Sequence, residues 1–329
     1  MAPCSRVHAL IAILAPAGLG AALSVAQAAE PAYPTRPVRL VLGFGVGGGT
    51  DLLARTIAPK LSEAMGHTWV VDNRTGASGN LATEIVVRAN PDGHTVLMIL
   101  NTQLTANPSL YKLPFDVQRD LQPVTTLGSS DQMLVVHPGV PATTFKDFIA
   151  LAKQKPGALN YASTGIGSVD HLGTELLNKR TGIKLVHVTY KGGGQAGAAL
   201  LAGEVQVRIG AAASTFPTVA SGRLRALAMA SSKRSKLMPE LPTIAELGYP
   251  GYAVNVWYAF LVPAKTPAKL AERIRTETIR ALQTADVQSQ LDRAGVNPAT
   301  STPAELGERL RQEADVLATL ISELGLRAQ

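Results

Sequence analysis

A chain of 329 residues, 46% hydrophobic and 17% charged, is long enough for two domains of roughly 150 residues each and too apolar for wholesale disorder. Thirty glycines and 21 prolines, scattered along its length, exclude a collagenous or low-complexity polymer, and the net charge of +7 is spread rather than blocked. With 5% aromatic residues and no basic run interleaved with them, a nucleic-acid partner is not expected.

The chain opens with Arg6 ahead of an apolar run from Ala9 to Val25 that ends in Ala26-Gln27-Ala28, the pattern of a secretory signal peptide over residues 1–28. Pro16, Gly18 and Gly20 interrupt the run, which argues against a membrane helix. Cleavage after Ala28 or Ala29 removes the one cysteine, Cys4, so no disulfide and no cysteine-based metal site is expected in the mature protein. It also removes Arg6, leaving 30 basic residues against 24 acidic ones, a net charge of +6. An exported chain without disulfides suits a bacterial periplasm, and a modest positive field favours anionic ligands.

From Val38 onward, short apolar runs alternate with helical periodicity, the signature of α/β architecture. Val38 to Phe44 reads as strand, Leu52 to Met65 as helix, Thr68 to Asp72 as strand, Leu81 to Ala89 as helix and Val96 to Leu100 as strand. Asn101 to Asp120, broken by Asn107-Pro108 and Leu113-Pro114, reads as irregular. The alternation resumes with strands at Met133 to His137, Leu159 to Ser163, Leu185 to Val188, Val205 to Ile209 and Leu224 to Ala230. Helices at Phe145 to Lys153, Leu172 to Thr181 and Ala196 to Leu201 lie between them. A loop-like stretch, Ser231 to Gly251, is followed by a strand at Val254 to Val262 and two helices, Pro267 to Gln283 and Pro303 to Leu324. Thr266 and Thr302 stand before prolines as expected caps.

The helical tail has no sheet of its own, so the economical arrangement returns it to the first α/β unit. Residues 29–130 and 232–329 then form a discontinuous first domain and residues 131–231 the second. Two crossings make a hinge, with a cleft between loops at the carboxyl ends of the strands.

Three loops follow strands and open helices. In Gly43-Phe44-Gly45-Val46-Gly47-Gly48-Gly49-Thr50-Asp51, glycines free backbone N–H groups to approach an anion and the helix N-terminus adds its dipole. Tyr161-Ala162-Ser163-Thr164-Gly165-Ile166-Gly167-Ser168 offers small hydroxyls and amides suited to a carboxylate, with Ser168 equally placed as a helix cap. In Tyr190-Lys191-Gly192-Gly193-Gly194, Lys191 is either a countercharge or a solvated lysine.

The same residues also carry enzyme readings. Gly43, Gly45 and Gly48 satisfy the dinucleotide fingerprint, and Asp72, 24 residues beyond Gly48, stands where a ribose-binding acid would lie, so an exported dinucleotide-dependent oxidoreductase is a rival. Gly49 stands where a nucleoside-triphosphate loop needs lysine, which excludes an ATPase. Ser168, Asp170 and His171 are too close in sequence for triad geometry. His67, His94, His137 and His187 lack metal-ligand spacing and read as surface or strand-end residues, while Trp69, Trp257 and Tyr258 read as core.

A series of short blocks then points to a family. Tyr33-Pro34-Thr35-Arg36-Pro37-Val38-Arg39, the glycine loop with Thr50-Asp51, Val71-Asp72-Asn73-Arg74 and Gly76-Ala77-Ser78-Gly79-Asn80 come first. Pro91-Asp92-Gly93-His94-Thr95, Asn107-Pro108-Ser109-Leu110-Tyr111, Gly165-Ile166-Gly167-Ser168 ahead of His171-Leu172, and Tyr190-Lys191-Gly192 follow. Gly222-Arg223-Leu224-Arg225-Ala226-Leu227-Ala228 and Leu241-Pro242-Thr243-Ile244-Ala245-Glu246 complete the set. In this order the chain from Tyr33 to its end resembles the receptors of tripartite tricarboxylate transporters, the Bug-type extracytoplasmic solute-binding proteins.

The resemblance implies a two-domain, type II-like clamshell of the periplasmic-binding-protein kind, each domain an α/β sheet flanked by helices. Its cleft closes on a small organic acid held by amides, hydroxyls and water, without cofactor, metal or catalysis. By matching motif, Phe44, Val46, Gly47, Gly48, Gly49, Thr50, Asp51 and Ser78 line one wall, with Asn101 near it. Ser163, Thr164, Gly165, Gly167, Ser168, Tyr190, Lys191 and Gly192 line the other. The expected partners are the ligand and the membrane permease subunits of a tripartite transporter, met by a monomer in the periplasm; a sensor partner in place of the permease is the second rival. This chain departs from the family pattern at Gln206 and Gly210, where the family usually has aspartates, and at Arg208, where it usually has an apolar residue. Arg208 reads as an anion contact or a solvated strand residue, with the balance toward the latter.

Overall fold

The computed structural model describes residues 33–47 and 49–326, so the expected signal peptide and Gly48 lie outside the described residues. The first half builds β1 (Val38–Leu42), α1 (Gly49–Met65), β2 (Trp69–Asn73), α2 (Asn80–Val87) and β3 (Thr95–Leu100). β1 pairs in parallel with both β2 and β3, and all its residues except Arg39 are buried, as in strands covered on both faces.

Asn101 to Asp120 is more regular than its sequence suggests. It contains three one-turn helices, α3 (Thr102–Thr105), α4 (Asn107–Leu110) and α5 (Val117–Asp120). Pro108 sits in the first turn of α4, where its missing N–H costs nothing, and the Asp116 carboxylate caps α5 by accepting from the N–H groups of Gln118 and Arg119. The ten-residue β4 (Leu121–Ser130) that follows carries no strand signal, because Pro123 and Gly128 interrupt it. Its pairing is irregular: the register skips Leu127 and Val124. A Cβ on Gly128 would stand 2.7 Å from the Asn297 carbonyl oxygen.

The second sheet is built from β5 (Gln132–Val136), α6 (Phe145–Gln154), β6 (Asn160–Ser163), α7 (Val169–Thr181), β7 (Val186–Thr189), α8 (Gly193–Ala202), β8 (Val207–Ala211), α9 (Ala212–Ala220) and β9 (Arg225–Met229). The remaining elements are β10 (Val256–Pro263), α10 (Ala268–Gln283), α11 (Ala285–Arg293), β11 (Val296–Pro298) and α12 (Pro303–Glu323). Strand order is β11-β4-β10-β3-β1-β2 in one sheet and β7-β6-β8-β5-β9 in the other, both mixed. Helices α9 and α11 and strand β11 had no clear sequence signal: Pro217 sits inside α9, and α11 follows α10 after a single residue.

The first sheet packs Leu40, Leu42, Val96 and Phe260 against α1, α10 and α11, and Val41, Leu97, Ile99 and Trp257 against α2 and α12. The second packs Leu134, Val136, Tyr161 and Ile209 against α6 and α7, and Met133, Val135 and Ala162 against α8 and α9. Trp69, Trp257 and Tyr258 are core residues, as their patterns suggest. The loop-like stretch after β9 belongs to this second core through Ile244, Tyr252 and Val254.

The chain passes between the sheets twice, at Asp131 and at Asn255, and the two passages lie side by side. Val256 pairs with Ser130, the Ala230 N–H donates to Gln132, and the Val254 N–H donates to Ala230. α12 begins in a capping box of Thr302 and Glu305. Thr266 is not a cap: its side chain is turned inward and α10 starts at Ala268 behind Pro267, so the threonine belongs to the turn that ends β10.

Candidate functional site

On the first lobe the glycine loop joins β1 to α1 and is strapped from below. The Asp51 carboxylate, 2% exposed, accepts from the Gly47 N–H at 3.0 Å, from Asn73 Nδ2 at 3.0 Å and from Arg55 Nε. Asn73 Nδ2 also donates to the Phe44 carbonyl at 2.9 Å. Burial alone would raise the Asp51 carboxyl, but Arg55, the Gly47 amide and Asn73 outweigh it and hold the group below the usual carboxylate range. Asp51 therefore shapes the loop from behind, with Thr50 buried beside it, while Gly45, Val46 and Gly47 are exposed at the tip. Gly43 is needed for close approach, since a Cβ there would lie 2.6 Å from Gly79 Cα.

Ser78 stands in the neighbouring loop with left-handed backbone, φ 55°. Its hydroxyl meets the Tyr111 hydroxyl at 2.9 Å, and its carbonyl accepts from Asn107 Nδ2 at 3.0 Å. Asn101 is directed elsewhere. Its Nδ2 donates to the Asn255 carbonyl and to Glu313 on α12, and it lines a cavity of about 350 Å³ with Leu172, Val254, Glu313 and Leu317, on the side of the second passage.

On the second lobe the loop from Ser163 to Ser168 is a closed hydrogen-bonded unit. Ser163 Oγ accepts from the Gly165 N–H at 3.1 Å and shares a hydrogen bond with His187 Nε2. Ser168 caps α7, accepting from the His171 N–H, with the Gly165 carbonyl and Asp170 Oδ1 both within reach of its single hydroxyl proton; Thr164 donates to the same Asp170 oxygen at 3.0 Å. The Gly167 N–H donates to His171 Nδ1 at 3.2 Å. Tyr190 is tied to Ser163 through its backbone N–H, Lys191 is exposed, and Gly192 is the residue that opens α8.

Below this loop the rings of His171 and His187 lie 4.3 Å apart, both stacked on Tyr161. Burial, and then the neighbouring His187, push the His171 imidazole down to about 4; burial also lowers His187 against the opposing pull of Glu175 and Asp170. Ser168 bonds Asp170 and not the His171 ring, so Ser168, Asp170 and His171 do not form a triad.

Arg208 is not a solvated strand residue. Its side chain is 13% exposed, Nη1 donates to the Gly193 carbonyl at 3.0 Å, and Asp170 stands 4.0 Å from Nη2. The guanidinium packs in ordinary contact over Gly210.

The two walls touch where Gly167 meets Leu110, in an apolar cluster with Ala106, Leu172 and Ile321. The loops at 43–49 and 76–79 and those at 163–168 and 190–192 thus stand at the strand ends of two sheets in contact. Sequence reasoning missed the residues that hold them: Asn73, Asn107, Asp170 and His187. Asn73 and Asn107 stood in plain view beside the loop motifs, whereas His187 carries no local signal.

The oxidoreductase reading loses its acid. Asp72 is ion-paired with both Arg39 and Arg74, so no free carboxylate faces a ribose at the end of β2. His94, expected at a surface or strand end, is at a strand end but buried, with Nε2 accepting from the Thr35 N–H. Among the described residues, no group of three or more His, Cys, Asp or Glu side chains is placed to hold a metal ion.

Comparison with known proteins agrees with this architecture. Residues 53–326 match the family described as the tripartite tricarboxylate transporter family receptor. The chain is 34% identical over 329 residues to protein BugT of Bordetella pertussis, covering 98% of each. Among solved structures it resembles R. palustris Rpa4515 with adipate, at TM-score 0.83 and 32% identity over 90% of this chain and 99% of that one. MatC from Rhodopseudomonas palustris with bound malate aligns at TM-score 0.80 and 28% identity over 88% and 100% of the two chains.

Proposed function

This chain belongs to the tripartite tricarboxylate transporter receptor family, and from that premise we propose that it captures a small carboxylic acid in the periplasm and delivers it to membrane permease subunits without transforming it. The family's members are periplasmic solute-binding receptors of the two-domain clamshell fold. In this reading the signal peptide of residues 1–28 exports the chain, which works as a monomer. The first domain is the β1-containing sheet and its helices. The second is the expected residues 131–231, and the packing of Ile244, Tyr252 and Val254 in the second core supports extending it to the return crossing at Asn255.

What supports the reading is a pair of polar loops at the strand ends of two sheets that touch where Gly167 meets Leu110. Phe44, Val46 and Gly49, together with Gly48, offer amides and Ser78 a hydroxyl from one side, with Gly47 holding the loop through its bond to Asp51. From the other, Thr164 and Gly192 offer amides and Lys191 its ammonium group, while Ser163, Gly165, Gly167, Ser168 and Tyr190, bonded within the lobe, shape the wall. Thr50 and Asp51 support the first loop from beneath, and Asn101 acts near the hinge. Such groups suit a carboxylate and need no reorganisation when it arrives. The relatives solved with adipate and malate support a di-acid of this size. Two passages lying side by side suit a hinge that closes when a ligand bridges both walls.

Calorimetric titration and thermal unfolding of the purified protein, refolded to strip carried-over ligand, test this. Adipate, malate and homologous acids form the panel, with nicotinamide and flavin cofactors beside them. Saturable binding of one acid class with a rise in the unfolding midpoint is the expected result. Binding of a cofactor alone would overturn the reading.

A further inference from the structure

Arg208 narrows the ligand class. Resting on the receptor reading above, we propose that the Arg208 guanidinium is the specificity determinant of the second wall, so that the protein selects acids carrying a charged group at both ends over acids charged at one end only.

The argument begins with how the side chain is housed. Arg208 lies on β8, and its side chain runs along the sheet toward the carboxyl end of that strand. A Cβ at Gly210 would stand 3.5 Å from its Cζ. A Cβ at Gly193 would stand 3.2 Å from Nη2, and one at Gly197 would stand 3.3 Å from Nη1. Gly193 and Gly197 of α8 thus leave room for the guanidinium, which rests in ordinary contact on Gly210 of β8, under the first turn of α8 and beside the Thr164–Ser168 loop.

This position leaves the cation underused. A guanidinium has five N–H donors. One of them, on Nη1, reaches the Gly193 carbonyl. Nε is buried with no hydrogen-bond partner. Asp170 is the only acid within salt-bridge range among the described residues, at 4.0 Å, too far for a hydrogen bond. Its Oδ1 is already engaged by the hydroxyls of Thr164 and Ser168. A buried charge ordinarily has full hydrogen bonding or a close counter-ion, and Arg208 has neither. Its burial depresses the guanidinium's affinity for its proton, yet arginine remains charged across the physiological range. The N-termini of α7 and α8 add their positive ends to the same region. An anionic group at Gly192 or Gly165 completes this arrangement.

If each wall demands a charge, a di-acid gains from both walls and its monoester from only one. The test is calorimetric titration of the wild-type protein, Arg208→Met and Arg208→Lys with adipate and monomethyl adipate. Wild type is expected to favour adipate by about 10-fold to 100-fold, the range of one charge-assisted hydrogen-bonding site. In Arg208→Met the ratio falls to near one, because the single remaining carboxylate goes to the first wall. Arg208→Lys retains part of the preference. A wild-type ratio near one overturns the proposal whether or not the variants fold. A ratio unchanged in Arg208→Met, with both affinities falling together, overturns it as well and leaves Arg208 a structural partner of Asp170. Failure of the wild type to bind either ligand or any acid of the panel defeats the receptor reading and this inference together.

Discussion

Gly167 on the second lobe faces Leu110 on the first so closely that a Cβ on the glycine would lie 2.2 Å from Leu110 Cδ1. Its backbone is also left-handed, at φ +81°. Gly167→Ala is therefore expected to strain the loop and hold the walls apart, with a stability cost of about 1–3 kcal/mol. Ligand affinity should fall with it. Chemical denaturation and calorimetric titration check the two effects. Gly167→Ala combined with Leu110→Ala separates them, because the double variant removes the clash but keeps the backbone strain.

His171 makes stability depend on pH. Its folded pKa of about 4 lies below its ordinary value of 6.5, so the unfolded chain binds the proton more tightly. The folded protein is favoured fully above pH 6.5, and the advantage is lost as pH falls through 6.5 toward 4. A shift of this size corresponds to about 3 kcal/mol, and His187 acts in the same direction. Protonation of His171 also removes the acceptor of the Gly167 N–H. Denaturation curves from pH 4 to 7.5 should show this slope in the wild type and a flatter one in His171→Gln.

Much of the site was legible because it is local. The glycine loop after β1 and the Ser163–Ser168 loop after β6 each fall between a strand and a helix in consecutive residues, so pattern alone locates them. What they rest on was not legible, because it is assembled from distant segments. Arg208 looks like a surface residue by its neighbours in β8, and only Gly193 and Gly197 on α8 reveal its burial. Asn101 sits at the end of β3 as expected, yet its direction is decided by Glu313 on α12. β4 escaped notice for a related reason: its residues pair with β10 and β11, far along the chain, and Pro123 and Gly128 are tolerated because the register skips beside them.

Asp51→Asn tests whether the first loop is held from behind. The substitution keeps the shape but removes the charge that faces Arg55, and an amide nitrogen cannot accept from Gly47 or Asn73. Stability should fall by about 1–3 kcal/mol. Affinity for the acid ligand should drop about 10-fold, through loss of order in residues 44–47, although the Asp51 side chain itself does not reach the ligand. Hydrogen exchange at the amides of 44–47 provides the check: faster exchange is expected in the variant, and unchanged exchange would place Asp51 outside the loop's support.

Glu313 joins α12 to the crossing between the sheets. Its carboxylate accepts from Trp257 Nε1 at 2.7 Å, from Asn101 Nδ2 at 3.1 Å and from Arg309 Nε at 3.0 Å, while the Arg309 guanidinium lies 4.5 Å above the Trp257 ring. Glu313→Ala leaves the Trp257 and Asn101 donors without this acceptor, at a cost of about 2–4 kcal/mol and a midpoint lower by about 3–6 °C. Asn101→Ala should lower stability less, by about 1–2 kcal/mol, since it removes one donor and leaves Glu313 with two others. Thermal unfolding with and without the acid ligand distinguishes a hinge role from a ligand contact. If Asn101 acts through the hinge, the ligand raises the midpoint of Asn101→Ala by as much as it raises that of the wild type. A loss of that increment would place the Asn101 side chain on the ligand itself.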